Sequence, residues 1–282
     1  MTGYESSPRR AVLGTKHGKE QQIAPPLRAC GIELELVSFD TDRFGTFSGE
    51  IARAKDPRAT ALAKAEAALK LKPAALGIAS EGTFMPHPGV PFVTMDVELL
   101  VAIDRDWGVV HEVEAVDDAP YVLRMSFDHH APPPDLARRL TEVGFPAQAM
   151  IVRAEDPSAG PIRKGIRDRD ALARAVHEVV DEAGVSVVVV ESDLRAHCSP
   201  GRQRAIVRAA ELLAARLDQT CANCGCPGYG ELGIERGLPC EYCDAPTPLP
   251  AFRRDGCRAC GVSELHSLGT SADPRYCEFC NP

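Results

Sequence analysis

GVSVVVVESDLRAHCSPGRQRAIVRAAELLAARL, from Gly184 to Leu217, holds the alternation that sets the fold class. Gly184 stops a helix that Asp168 or Asp170 caps and whose apolar residues Leu172, Val176 and Val180 recur every four positions. Val185 to Val190 is five valines and one serine, the pattern of a strand buried on both faces. A polar turn follows. Pro200 to Leu217 then carries an apolar stripe at Ile206, Ala210, Leu213 and Leu217, which predicts a helix with one buried face.

The same alternation extends outward. Arg10–Thr15 reads as a short buried strand and Lys19–Cys30 as a helix, with Pro25 and Pro26 in its first turn or distorting it. Ile32–Phe39 alternates apolar and acidic residues as a half-buried strand does. Asp56-Pro57 starts a helix that runs to about Leu71: an Asp cap, then Pro at the first helical position. Ala75–Ser80, Val97–Asp104, Val109–Val116, Tyr121–Phe127 and Ala147–Arg153 read as strands, and Asp135–Val143 as a helix. The expected class is α/β, a mixed sheet with flanking helices and an antiparallel run in its middle.

Composition bounds the function. With 44% hydrophobic and 26% charged residues, the 282-residue chain is that of an ordinary globular protein, not a disordered one. No apolar run approaches the ~20 residues that span a bilayer, and Met1–Gly18 lacks a signal-peptide core, so a cytoplasmic protein without membrane partners is expected. The formal net charge of -8 disfavours nucleic acid as a partner.

Nine of the eleven cysteines follow Asp218, where the composition shifts to Cys, Gly and Pro. This sets domains of 1–218 and 219–282. The tail holds four Cys-x-x-Cys pairs: Cys221/Cys224, Cys240/Cys243, Cys257/Cys260 and Cys277/Cys280. Two residues between thiolates let both sulfurs reach one tetrahedral ion. The residues after each pair, Gly225, Asp244, Gly261 and Asn281, all tolerate positive φ. Near-equal gaps favour two successive Cys₄ zinc ribbons, each holding one structural Zn²⁺, although the spacing also permits an interleaved arrangement. Cys226 is left over as a bystander. Eight acidic and five basic side chains make the tail itself acidic, so a protein partner or self-association fits it better than nucleic acid.

Four polar segments fall at predicted strand ends, where α/β sheets bind ligands. Thr15, Lys16, His17 and Lys19 lead into a helix, and backbone N–H groups there with Lys16 and Lys19 would hold a phosphate chain. Asp40, Asp42 and Glu50 lie in a Gly-punctuated acidic stretch able to supply Mg²⁺ ligands. Glu81, in Ser80-Glu81-Gly82, is a candidate metal ligand or general base. Asp193, Arg195 and Arg202 lie in a turn suited to gripping a polar ligand. In order, these segments resemble the superfamily of inosine triphosphate pyrophosphatases and Maf-type nucleotide pyrophosphatases, with His17 standing for an Asn and with Lys64-Ala65 as that group's helical Lys-Ala pair. The resemblance implies Lys64 as a further catalytic group beside Glu81 and Lys19, Mg²⁺ as cofactor, and hydrolysis at the α-phosphorus of a nucleotide or related phosphorylated metabolite. TKHGKEQQIAPPL, TDRFGTFSGEI, ASEGTF and DLRAHCSPGRQRAI, with the CPGYG, GLPC and CDAPTP segments of the tail, resemble a bacterial family, domain of unknown function 6671. A second reading stands beside the enzyme: a small-ligand sensor whose zinc ribbons contact a protein.

Overall fold

The structure, a computed structural model, describes residues 8–15, 18–40, 56–87, 89–119 and 122–282. The chain opens with β1 (Arg9–Gly14), α1 (Glu20–Ala29), β2 (Ile32–Val37), α2 (Pro57–Leu71), β3 (Leu76–His87), β4 (Val90–Asp104) and β5 (Val109–Asp118). These form a five-stranded sheet in the order β2-β1-β3-β4-β5, in which β1 runs parallel to both neighbours and β3, β4 and β5 are antiparallel. Asp56 caps α2 by accepting from the Ala59 N–H at 2.9 Å, as its Asp-Pro start predicts. Pro25 and Pro26 lie in the middle of α1, not in its first turn, while Ile23 and Leu27 anchor the buried face.

The two faces of this sheet are filled differently. On one, Leu13, Leu76, Ile78 and Leu100 pack against Ile23 and Leu27 of α1 and Ile206, Ala210 and Leu213 of α5 (Pro200–Asp218). On the other, Ala61 and Ala65 of α2 sit on Ala79, Leu99 and Val101. Small side chains let α2 approach closely, and a Cβ on Gly77 would lie 2.5 Å from the Leu69 side chain.

The sequence reading of one mixed sheet through residue 218 needs correction. A second, antiparallel sheet forms from β6 (Arg124–Asp128), β7 (Met150–Ala154), β8 (Arg163–Ile166) and β9 (Val187–Ser192), ordered β6-β9-β7-β8. It closes its own core, with Val188, Val190, Met150 and Phe127 against Leu140 of α3 (Leu136–Glu142) and Leu172 and Val179 of α4 (Arg169–Ala183). Asp168 caps α4 through Ala171 N–H at 2.7 Å, and Gly184 ends it at φ +64°. The valine strand is thus the middle of this smaller sheet, and α5 carries the chain back onto the first.

The tail forms a three-stranded antiparallel sheet of β10 (Gly230–Arg236), β11 (Pro250–Gly256) and β12 (Ser263–Ser267). It is docked on the body. Arg216 of α5 donates to the carbonyls of Gly228 at 2.7 Å and Glu231 at 2.6 Å, and Val109 packs on Cys221, Cys226 and Cys257. Gly228, at φ +87°, comes so close to β5 that a Cβ would lie 2.2 Å from the His111 ring. Gly228→Ala therefore combines left-handed strain with overlap on a buried ring. We expect a loss of about 2–3 kcal/mol in urea unfolding. A change under about 0.5 kcal/mol, the usual surface scatter, would show that this contact does not hold the tail. Among the described residues, no helix is long and apolar enough to cross a membrane.

Candidate functional site

β1 stops at Gly14, and its last pairing with β3 is Leu13 with Ile78. β3 nevertheless runs on to His87 because β4 continues to pair with it. Glu81 and Gly82, read from sequence as a turn after a strand, are therefore inside the strand, on the edge that β1 vacates. This is also where strand order reverses, since the chain leaves β1 for β2 on one side and returns to β3 on the other.

Charged side chains from five elements gather around this edge, Lys64 and Glu81 on the α2 face of the sheet and the others on the α1 and α5 face. Lys19, at the start of α1, is buried and donates to Ser80 Oγ at 2.8 Å. Its Nζ also lies 3.7 Å from Glu98 Oε2. Burial pulls the Lys19 ammonium below its usual range, and Glu98 opposes that shift. Lys64 of α2 pairs with Glu81 of β3. Arg202, in the first turn of α5, donates through Nε to Glu98 Oε1 at 2.8 Å and through Nη1 to Leu194 O at 2.6 Å. Arg202 reaches Glu98 across Gly82, where a Cβ would lie 2.0 Å from Nη2. Here glycine is required for close approach, not for turning.

Thr15 is buried at the end of β1. Asp40 is exposed beyond β2. Lys16, His17, Asp42 and Glu50 lie outside the described residues. Asp193 and Arg195 do not join the cluster. Asp193 spends its carboxylate on Arg195, through Nε at 2.9 Å and Nη2 at 2.6 Å, and on the Gly165 N–H at 3.0 Å. This fastens β8 to the end of β9. Cys198 beside them is held up to about 11 by burial and then by Asp193, so its thiol is not a nucleophile at neutral pH.

Two residues of the cluster were missed in the sequence. Asp96 and Glu98 of β4 are 1% and 0% exposed, yet share the sheet face of Leu100 and Ala102. Among the described residues neither oxygen of Asp96 has a hydrogen-bond partner, nor does Glu98 Oε2. The signal was present: in Asp96-Val97-Glu98-Leu99-Leu100, charge occupies alternate positions of a strand whose same face later becomes apolar. Burial, followed by the charge of Glu98, raises the Asp96 carboxyl to about 7. The native state thus keeps a proton that the unfolded chain releases near pH 4. That contribution to stability is complete below about pH 4 and is lost as pH rises through about 7. Without added divalent cation we expect stability to fall by up to about 4 kcal/mol across this window, and Asp96→Asn to flatten the profile. Identical pH profiles for both proteins in urea unfolding would refute this.

The tail holds two four-sulfur centres. Cys221, Cys224, Cys257 and Cys260 form one, and Cys240, Cys243, Cys277 and Cys280 the other, the sulfurs of each lying within 4.8 Å of one another. Contacts of 3.7 Å for Cys221–Cys260, 3.6 Å for Cys224–Cys257 and 3.6 Å for Cys243–Cys277 match the edge of about 3.8 Å that a tetrahedron with 2.3 Å metal–sulfur bonds requires. The favoured successive pairing is corrected to an interleaved one, and sheet register is the cause. Gly230 of β10 pairs with Gly256 of β11, which brings the first knuckle to the third. At the other end Arg236 pairs with Pro250, leaving the second knuckle to meet the fourth, which follows β12. Gly225, Asp244 and Gly261 take positive φ as expected, whereas Asn281 does not. Cys226 is buried outside both centres, its thiol 3.2 Å from Pro227 O.

These features define a mixed α/β protein with a cysteine tail able to hold two metal ions. The chain belongs to the family called domain of unknown function 6671, whose model matches residues 64–282. That span contains Lys64, Glu81, Asp96, Glu98, Arg202 and all eight clustered cysteines. No curated protein and no solved structure matches the chain.

Proposed function

We propose that the body is a metal-dependent phosphohydrolase acting on a nucleotide or a related phosphorylated metabolite, and that the tail binds two structural zinc ions. One observation carries the first part: beside the carboxyl end of β1, Lys19 and Arg202 gather with Asp96 and Glu98 on the α1 and α5 face of the sheet, and the Lys64–Glu81 pair lies on the α2 face, close enough for both its charges to act on Lys19. Two cations on one face with a third across the strand are suited to the charge of a phosphate chain, and the paired carboxylates Asp96 and Glu98 are suited to a hard cation and a proton. A bound Mg²⁺ would polarise a phosphoryl oxygen and acidify the attacking water. Lys19, whose charge burial makes costly, would gain most from a phosphate neighbour. Lys64 would hold Glu81 in place until ligand enters, leaving Glu81 to orient water. The four-thiolate geometry supports the zinc assignment, because a tetrahedral ion held by four thiolates keeps no open position for chemistry.

The decisive assay is phosphate and pyrophosphate release from a panel of nucleoside triphosphates with Mg²⁺ or Mn²⁺. Wild type should turn over at least one of them, and Glu81→Gln should lose about 10²-fold or more in kcat while still folding cooperatively and keeping its zinc. No release by folded, zinc-loaded protein would reject the hydrolase reading. The sensor reading has its own support in the finished Lys64–Glu81 and Arg202–Glu98 pairs, and it expects nucleotide or phosphate binding without turnover.

A further inference from the structure

We propose that Asp96 and Glu98 of β4, with Asp117 of β5 beside them, form a binding site for one hard divalent cation such as Mg²⁺ or Mn²⁺. The site differs from the acidic stretch at Asp40, Asp42 and Glu50. It deepens the phosphohydrolase reading by saying where a cation sits, but its test does not depend on turnover.

Three observations carry it. First, Asp96 and Glu98 alternate on one strand, so both side chains stand on the same face of the sheet. Asp117 is the residue directly opposite Asp96 on β5. Second, the two β4 carboxylates are fully buried, and among the described residues three of their four oxygens have no hydrogen-bond partner. Buried polar atoms are ordinarily satisfied, and leaving several together is costly. Third, a single proton shared between Asp96 and Glu98 involves two of these three oxygens and leaves one unmet. A hydrated cation satisfies all three oxygens at once, directly or through its waters. Mg²⁺ characteristically takes one or two carboxylates and keeps several waters.

The surroundings fit the same ligand. Arg202 occupies only Glu98 Oε1, and Lys19 approaches Oε2 at 3.7 Å. The two cationic groups therefore flank the site without filling it, and a phosphoryl oxygen could lie between them and the metal.

The test uses the full-length, zinc-saturated protein and Mn²⁺ as probe, with binding followed by electron paramagnetic resonance and checked by calorimetry. Wild type should bind one Mn²⁺ that Mg²⁺ displaces. Asp96→Asn keeps the shape of the side chain and removes a buried charge, so it should fold. It should weaken Mn²⁺ at least about tenfold and abolish the Mn²⁺-induced rise in melting temperature. Glu114→Gln, an exposed carboxylate on the opposite face of β5, should bind Mn²⁺ within about threefold of wild type. No Mn²⁺ bound by wild type, or equal binding by wild type and Asp96→Asn, would overturn the site. Mn²⁺ bound at Asp96 with no phosphate released from any nucleotide would uphold the site and reject the hydrolase reading. Turnover together with unaltered Mn²⁺ binding in Asp96→Asn would do the reverse.

Discussion

With zinc bound as proposed, the wild type should hold two metal ions and a chain carrying Cys224→Ser and Cys257→Ser only one, and that remaining ion should resist chelators equally in both. The reason lies in the pairing of knuckles. Both substituted thiols belong to the Cys221, Cys224, Cys257 and Cys260 centre, so two of its four ligands disappear while the other centre keeps all of its own. Had the knuckles paired successively, the same two changes would remove one ligand from each centre and weaken both ions alike. Metal content after a timed chelator challenge separates these outcomes. The structural penalty should be large, because binding zinc to four thiolates supplies about 10–16 kcal/mol of apparent free energy. Loss should be local to the end of the tail sheet nearest β5, since Val109 packs on Cys221, Cys226 and Cys257.

Arg202→Leu should cost about 3–5 kcal/mol in urea unfolding, a large share of the 5–15 typical of a domain. Arg202 and Glu98 have side-chain exposures of 3% and 0%, so removing the guanidinium leaves a carboxylate that water cannot reach. Lys19 at 3.7 Å is too far to replace its paired hydrogen bonds. The double variant Arg202→Leu with Glu98→Leu should recover most of the loss, because burying neither charge is often as stable as burying the pair. If the single variant loses less than about 1 kcal/mol, as an exposed pair would, the pair is solvated and the cluster is not the buried centre described above.

Local signals were legible in the sequence where one short segment decides the outcome. Asp56-Pro57, the Asp168 cap, the Gly184 stop and the four knuckles are of that kind, because caps and turns depend on neighbouring residues alone. What depends on register was not legible. The same eight cysteines satisfy either pairing, and only the antiparallel match of β10 with β11 chooses between them. Glu81 reads as a turn residue next to Gly82, yet β4 carries the strand past it. Likewise the break between the two body sheets leaves no mark in composition, since both are built from the same apolar alternation. Asp96 and Glu98 look like solvent-facing alternates of a strand until Arg202 and Lys19, distant in sequence, are seen to cover them.

The interleaved centres also set an order of events during synthesis. Were the knuckles paired in succession, a first centre could close as soon as Cys243 emerged from the ribosome. Here the first centre waits for Cys260 and the second for Cys280, so two overlapping spans of about forty residues stay open together. Thiols from both centres are then exposed side by side, with the wrong partner nearer along the chain than the right one. Metal delivered early would favour that wrong partner, whereas metal delivered after β10 and β11 have paired meets ligands already sorted. The tail is thus a unit whose correct loading depends on sheet formation coming first.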